Sequence, residues 1–94
     1  LILEDNPYGD LRFEGEAIPS IKSLDEDGLV IYAASLSKII APGMRVACCI
    51  APKAIIQKMT VAKQASDVHS NLWAQKVMAR YLPILAKICI QEKL

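Results

Sequence analysis

The sequence predicts an α/β fold, about three strands of a mixed sheet followed by two to three helices. The apolar runs Leu1-Ile2-Leu3, Leu29 to Ala34 and Met44 to Ile50 are short, unbroken and bounded by turn formers, the pattern of strands covered on both faces. Behind them, Ala54, Ile55, Lys58, Met59, Ala62 and Ala65 recur at helical spacing with lysines and glutamines on the other faces. A third observation is that the charged residues are spread rather than blocked while 53% of the chain is hydrophobic, which argues for a packed core and against disorder.

Leu1 to Leu3 is the carboxyl end of a buried strand and runs into the turn formers Glu4-Asp5-Asn6-Pro7-Tyr8-Gly9. Gly15 to Asp27, with Pro19 and the acidic run Asp25-Glu26-Asp27, reads as a surface connection with one helical turn near Ser20 to Leu24. Leu29 to Ala34 is the second strand and Met44 to Ile50 the third. The connection from Ser35 to Gly43 is too short for a crossover helix, so these two strands should be antiparallel neighbours. Pro52 suits the first turn of a helix reaching about Ser66. Ser70 should cap a second helix carrying Trp73, Val77 and Tyr81 on one packing stripe. Pro83 should kink or end it, leaving Ile84 to Leu94 as the start of a third.

At 94 residues the chain fits one small domain or a piece of one. Its opening on an apolar run without methionine and its stop within Gln91 to Leu94 both read as cuts from a longer protein. The 11 basic and 10 acidic side chains balance to +1, which leaves no broad positive field for a nucleic-acid partner. No apolar run approaches the roughly 20 residues that cross a bilayer, and no secretory signal is visible. A cytoplasmic protein with no membrane partner is expected. The 3 cysteines, Cys48, Cys49 and Cys89, lack a metal-ligand spacing and read as reduced, buried thiols, with no metal site.

Taken singly, the polar residues near the strand ends have ordinary explanations. An aspartate after a strand makes local hydrogen bonds; Tyr8 beside Pro7 packs; Lys38 is a solvated charge. Their grouping is more specific. Ser35, Ser37, Lys38 and Arg45 surround one strand-loop-strand turn, while Asp5 and Tyr8 leave the end of another strand. Ligands of α/β sheets sit beyond the carboxyl ends of strands. Hydroxyls and a guanidinium suit a phosphate, a neighbouring lysine can form a Schiff base with an aldehyde, and a carboxylate can keep a pyridine nitrogen protonated. Those roles converge on pyridoxal 5′-phosphate.

The segments Glu4 to Phe13, Val30-Ile31-Tyr32, and Ser35-Leu36-Ser37-Lys38 running into Ala41-Pro42-Gly43-Met44-Arg45-Val46 closely resemble the class I/II aminotransferases of fold type I. Within them the likeness is strongest to the subgroup acting on aromatic amino acids, kynurenine, 2-aminoadipate and branched-chain substrates. It continues through Ala51-Pro52-Lys53, Lys63-Gln64 and Asp67-Val68-His69, over roughly residues 1 to 82. The resemblance implies a central fragment of the large domain, truncated at both ends and spanning 1–94. It also implies transamination between an amino acid and a 2-oxo acid, with pyridoxal 5′-phosphate as cofactor and a homodimeric parent.

Carried over by the resemblance, Lys38 is the catalytic lysine that binds the cofactor's aldehyde and moves the α-proton. Asp5 faces the pyridinium nitrogen, Tyr8 donates to the ring's phenolic oxygen, and Ser35, Ser37 and Arg45 hold the phosphate. Arg12 and Asp10 match the family but serve the loop; His69 and Asn71 read as cap or surface residues near a subunit interface. Ala34, Leu36 and Ala47-Cys48-Cys49 depart from the family pattern, adding a methyl near the phosphate and removing bulk from the third strand. Other segments that complete the family's site are missing here, so the isolated piece should be inactive, and insoluble or partly disordered outside a larger assembly. Two rivals use the same residues: an aminotransferase-like effector-sensing domain of a GntR-type transcription regulator, and an inactive degenerate fragment. A related lyase or decarboxylase is a further possibility on the same fold.

Overall fold

A computed structural model describes residues 1–9 and 11–93, with side chains described as far as Leu85. Asp10, the Cys89 thiol and Leu94 lie outside the described residues. Three strands form one sheet: β1 (Ile2–Asp5), β2 (Val30–Ser35) and β3 (Ala47–Ile50), in that order. β1 pairs parallel with β2, and β2 antiparallel with β3, so the sheet is mixed as expected. The third strand starts later than its apolar run. Pro42–Met44 closes a 3-10 turn and Arg45 takes a left-handed conformation (φ 54°), which interrupts the extended backbone until Ala47.

The parallel pair is joined by a connection without an α-helix, containing only the 3-10 turn Lys22–Leu24 among its described residues. Side chains hold that connection to the strands. The Glu4 carboxylate accepts the Ile21 and Lys22 N–H groups, both at 2.9 Å. The Asp25 carboxylate accepts the Leu29 and Val30 N–H groups at 3.0 Å, and Lys22 Nζ lies 3.0 Å from it while also donating to the Val30 carbonyl at 2.8 Å. Asp25 belongs to the acidic run read as part of a surface connection, yet its side chain is only 3% exposed. Its neighbours Glu26 and Asp27 do remain exposed.

Helix α1 (Lys53–Ser66) follows Pro52 as anticipated. It lies on the face of the sheet that carries Cys49, whose Sγ is 3.8 Å from Met59 Sδ. Beyond it, the Asp67 and Val68 N–H groups both return to the Lys63 carbonyl at 3.0 Å, with Val68 at φ 69°. Helix α2 (Leu72–Lys93) begins one residue later than Ser70 would require. Asn71 Oδ1 accepts the Ala74 N–H at 3.1 Å and is therefore the N-cap, while the Ser70 carbonyl accepts from the Gln75 side chain at 3.0 Å. Pro83 lies inside α2 and does not end it, so the expected third helix is the continuation of the second. Proline there forfeits one backbone hydrogen bond, to the Ala79 carbonyl, and the turns on either side continue the helix.

Among the described residues the buried apolar ones are Val30, Ala74 and Met78, a small core. Two apolar surfaces read as covered in a whole domain are open in this piece, as strand edges and helix faces cut from a larger domain should be. Leu1, Ile2 and Leu3 are exposed, because no described element covers β1, and only Val30 of β2 is fully buried. Trp73, Val77 and Tyr81 do share a stripe, but Trp73 is 75% exposed and the stripe lines an open groove with Lys76, Arg80 and Ile84. Cys48 is exposed and Cys49 half-buried, which corrects the reading of both as buried thiols: among the described residues β3 is an edge strand, paired only with β2. No described helix is long and apolar enough to cross a membrane.

The backbone N–H groups of Leu29 and Val30 hold the Asp25 carboxyl well below the usual carboxylate range, with help from Lys22. A depressed folded-state pKa contributes stability that is complete above the ordinary value and is lost as pH falls through the folded one. Asp25→Asn should therefore lower the thermal midpoint at pH 7, and its deficit against wild type should begin to close below about pH 5. Thermal melts of both proteins across that range check this.

Candidate functional site

Strand register decides which residues meet. Asp5 sits opposite Ala33, so β1 and β2 finish almost level, and Ser35 sits opposite Ala47, which brings the start of β3 to the same end. Paired residues share a face and neighbours along a strand alternate, so Asp5, Ala33, Ser35 and Ala47 line one face. Ala34, where the family pattern differs, pairs with Cys48 on the other. The polar loops then extend from this end: Asn6 to Gly9 beyond β1, and Leu36 to Val46 between β2 and β3. All six predicted site residues, Asp5, Tyr8, Ser35, Ser37, Lys38 and Arg45, are thus collected at one end of the sheet.

Lys38 is exposed in a turn closed by the Ile40 N–H on the Leu36 carbonyl at 2.9 Å. Its Nζ lies over the Tyr8 ring, 5.7 Å from the centroid, a cation–π contact between two residues 30 positions apart in the chain. Ser35 Oγ accepts the Ser37 N–H at 3.1 Å and keeps its own proton for a ligand. Arg45 uses one guanidinium nitrogen on the Pro42 carbonyl at 3.2 Å, leaving its other donors directed elsewhere. Lys38 and Arg45 are in no ion pair among the described residues.

That donor set has defined chemical capacity. Two hydroxyls and a guanidinium suit a phosphate ester, an exposed amine suits an aldehyde, and Asp5 adds a carboxylate on the same sheet face. The residues present therefore fit a phosphorylated aldehyde such as pyridoxal phosphate. Among the described residues no cluster of histidine, cysteine and carboxylate side chains is arranged to hold a metal ion.

Residues read as structural behave so. Arg12 Nε donates to the Gly15 carbonyl at 3.1 Å, within its own loop. His69 Nδ1 meets the Ser70 carbonyl at 2.8 Å, and Asn71 caps α2. Other contacts in the site loop have no counterpart in the sequence reading. Asn6 Nδ2 donates to the Tyr32 hydroxyl at 3.0 Å, and a Cβ placed on Gly9 would lie 2.5 Å from that same Nδ2. A glycine next to the tyrosine in a turn was the available signal for close backbone approach.

No family model matches the chain. Aromatic-amino-acid aminotransferase 1 of Thermococcus litoralis is 44% identical over 82 residues, 87% of this chain and 20% of that protein. The kynurenine aminotransferase of Pyrococcus horikoshii, solved with PMP, superposes with a TM-score of 0.85 at 44% identity, over 86% of this chain and 20% of that one. The alpha-aminoadipate aminotransferase LysN of Thermus thermophilus was solved with N-(5′-phosphopyridoxyl)-L-leucine. It gives a TM-score of 0.83 at 34% identity, over 88% of this chain and 22% of that one. YisV, an uncharacterized HTH-type transcriptional regulator of Bacillus subtilis, is 32% identical over 81 residues, 86% of this chain and 17% of that protein. The chain thus spans about a fifth of the length of these relatives, and it shares their fold over most of its own.

The close approach at Gly9 generates a prediction. Gly9→Ala must push the Asn6 amide off Tyr32 or move the loop that carries Tyr8, at a cost of about 0.5–1.5 kcal/mol, the scale of one lost hydrogen bond. A denaturant titration of the protein bearing this change should show that loss, whereas an unchanged midpoint would mean the loop has room to spare.

Proposed function

We propose that this chain, homologous to a segment of the aromatic, kynurenine and 2-aminoadipate aminotransferases, is part of the large cofactor-binding domain of a pyridoxal-phosphate-dependent aminotransferase. Residues 1–94 are then one partial domain. The parent protein moves an amino group from an amino acid to a 2-oxo acid. The observation that carries this reading is the convergence of Asp5, Tyr8, Ser35, Ser37, Lys38 and Arg45 at one end of the sheet, with Lys38 over Tyr8.

Each residue has a task that its chemistry fits. Ser35 and Ser37 hydroxyls and the Arg45 fork bind the phosphate and fix the ring's distance from the turn. Tyr8 offers its phenol to the ring's oxygen and orients it. Asp5 would face the pyridine nitrogen of the bound cofactor and keep it protonated, which makes the ring a better electron sink. Lys38 Nζ would hold the aldehyde, and its amine is the group placed to accept and return the substrate's α-proton. When bound, pyridoxal phosphate supplies the electron sink that makes that proton acidic.

The parent is read as a cytoplasmic homodimer, with no role for nucleic acid or membrane. A second reading, an effector-sensing domain of a transcription regulator, is favoured by the match to YisV. It would use the same lysine without turnover.

Incubating the full-length protein with pyridoxal phosphate, reducing with borohydride and mapping the labelled peptide should place the label on Lys38. Lys38→Ala should abolish the label and lower transamination by at least about 10²–10⁴-fold, the scale of a lost acid–base catalyst. A label on another lysine would contradict the assignment, and a labelled Lys38 without amino-group transfer would favour the regulator.

A further inference from the structure

We propose that Asn6 and Tyr32 form a pin, set into the far face of the sheet, that positions the Tyr8 phenol against Lys38 and the cofactor. The inference rests on the assignment of Tyr8 and Lys38 to the cofactor site. It adds two positioning residues that are not themselves among the ligand-binding groups.

Tyr32 alternates with Ala33 and so lies on the face opposite Asp5 and Ser35. Its hydroxyl accepts a 3.0 Å hydrogen bond from the Asn6 side-chain amide, and both residues are half-buried. The Asn6 main chain is held as well, since its N–H donates to the Ala33 carbonyl at 3.0 Å and prolongs the β1–β2 pairing by one residue. Gly9 closes the remaining side. A Cβ there would come within 2.5 Å of Asn6 Nδ2 and 2.6 Å of Oδ1, so the loop folds directly over the amide. Tyr8 is bracketed between Asn6 and Gly9, and its carbonyl accepts the Leu11 N–H at 3.0 Å.

Within these residues Tyr8 is 61% exposed, and its ring meets Lys38 rather than a packed core. Its direction comes from the backbone of residues 6 to 9, and the Asn6–Tyr32 bond ties the start of that loop to the central strand. Loss of the bond frees the loop, and the phenol drifts from the position in which it meets Lys38 and the ring oxygen. The pin is a device of geometry, because neither Asn6 nor Tyr32 needs to touch the ligand.

The test uses the full-length protein loaded with pyridoxal phosphate and reads the visible absorption and circular dichroism of the lysine-bound cofactor, together with its affinity. Tyr8→Phe provides the reference for a lost phenol. Tyr32→Phe and Asn6→Ala should each shift the band in the direction of Tyr8→Phe and weaken cofactor binding about fivefold, the scale of one neutral hydrogen bond. The double variant should do no more than either single one. Asn6→Asp should keep the wild-type band, because its carboxylate can accept a hydrogen bond from the Tyr32 hydroxyl. Folded Tyr32→Phe and Asn6→Ala proteins with the wild-type band and affinity would overturn the pin while leaving the site assignment intact, and so would additive effects. If Tyr32→Phe fails to fold, the contrast between Asn6→Ala and Asn6→Asp decides. A wild-type protein that forms no borohydride-sensitive band on Lys38 would remove the site assignment, and the pin with it.

Discussion

Strand β2 is the only one of the three paired on both edges, and the polar end of the molecule depends on its register with its neighbours. The parallel pairing on one side levels Asp5 with Ala33; the antiparallel pairing on the other sets Ala47, two residues after Arg45, opposite Ser35. A slip of one residue in β1 would carry Asp5 to the opposite face, since side chains alternate with a period of two. Glu4 and Asp25 oppose such a slip from the side away from the site. Their carboxylates take four backbone N–H groups of the connection and of the start of β2, and so tie the incoming chain to both strands.

Much of this architecture was legible in the residues, and the parts that were not share physical reasons. Apolar runs bounded by turn formers marked all three strands, and the short link from Ser35 to Gly43 settled the antiparallel pair. Pro52 and the periodic apolar positions behind it marked α1. Arg45 could not be seen to leave the extended conformation, because a left-handed arginine has no sequence signature of its own. Pro83 marked a kink or an end without deciding between them: proline removes one backbone hydrogen bond and crowds the preceding turn, and here the helix runs on past it. Asp25 looked like one of three carboxylates on a surface connection, and only the path of the chain shows that it alone turns inward to the N–H groups of β2. The site residues were legible as a set because their spacing joins two strand ends, whereas Asn6 and Tyr32 are 26 positions apart and meet only through the sheet.

The exposed apolar surface has a different origin from the site. Leu1, Leu3, Trp73 and Ile84 are all more than half exposed, and the fully buried apolar residues are few among those described. A run of apolar side chains records what a sequence is suited to bury, not whether the covering element is present. Here the chain spans about a fifth of its relatives, whose fold it matches closely. The polar end is built from hydrogen bonds, turns and strand register that are local to these residues, so its geometry is set even where the apolar layers are not. Site geometry and burial are therefore separable in this molecule, the first set by β2 and its loops and the second by surfaces such as the Trp73–Ile84 groove.

The claim that one end of the sheet is a cofactor site is tested most directly by a crystal structure of the full-length protein grown with pyridoxal phosphate. Continuous density from Lys38 Nζ to the cofactor is expected, with the phosphate within hydrogen-bonding distance of Ser35, Ser37 and Arg45 and the Asp5 carboxylate facing the ring nitrogen. A cofactor bound away from this end, or one whose phosphate and ring nitrogen meet none of these residues, would contradict it.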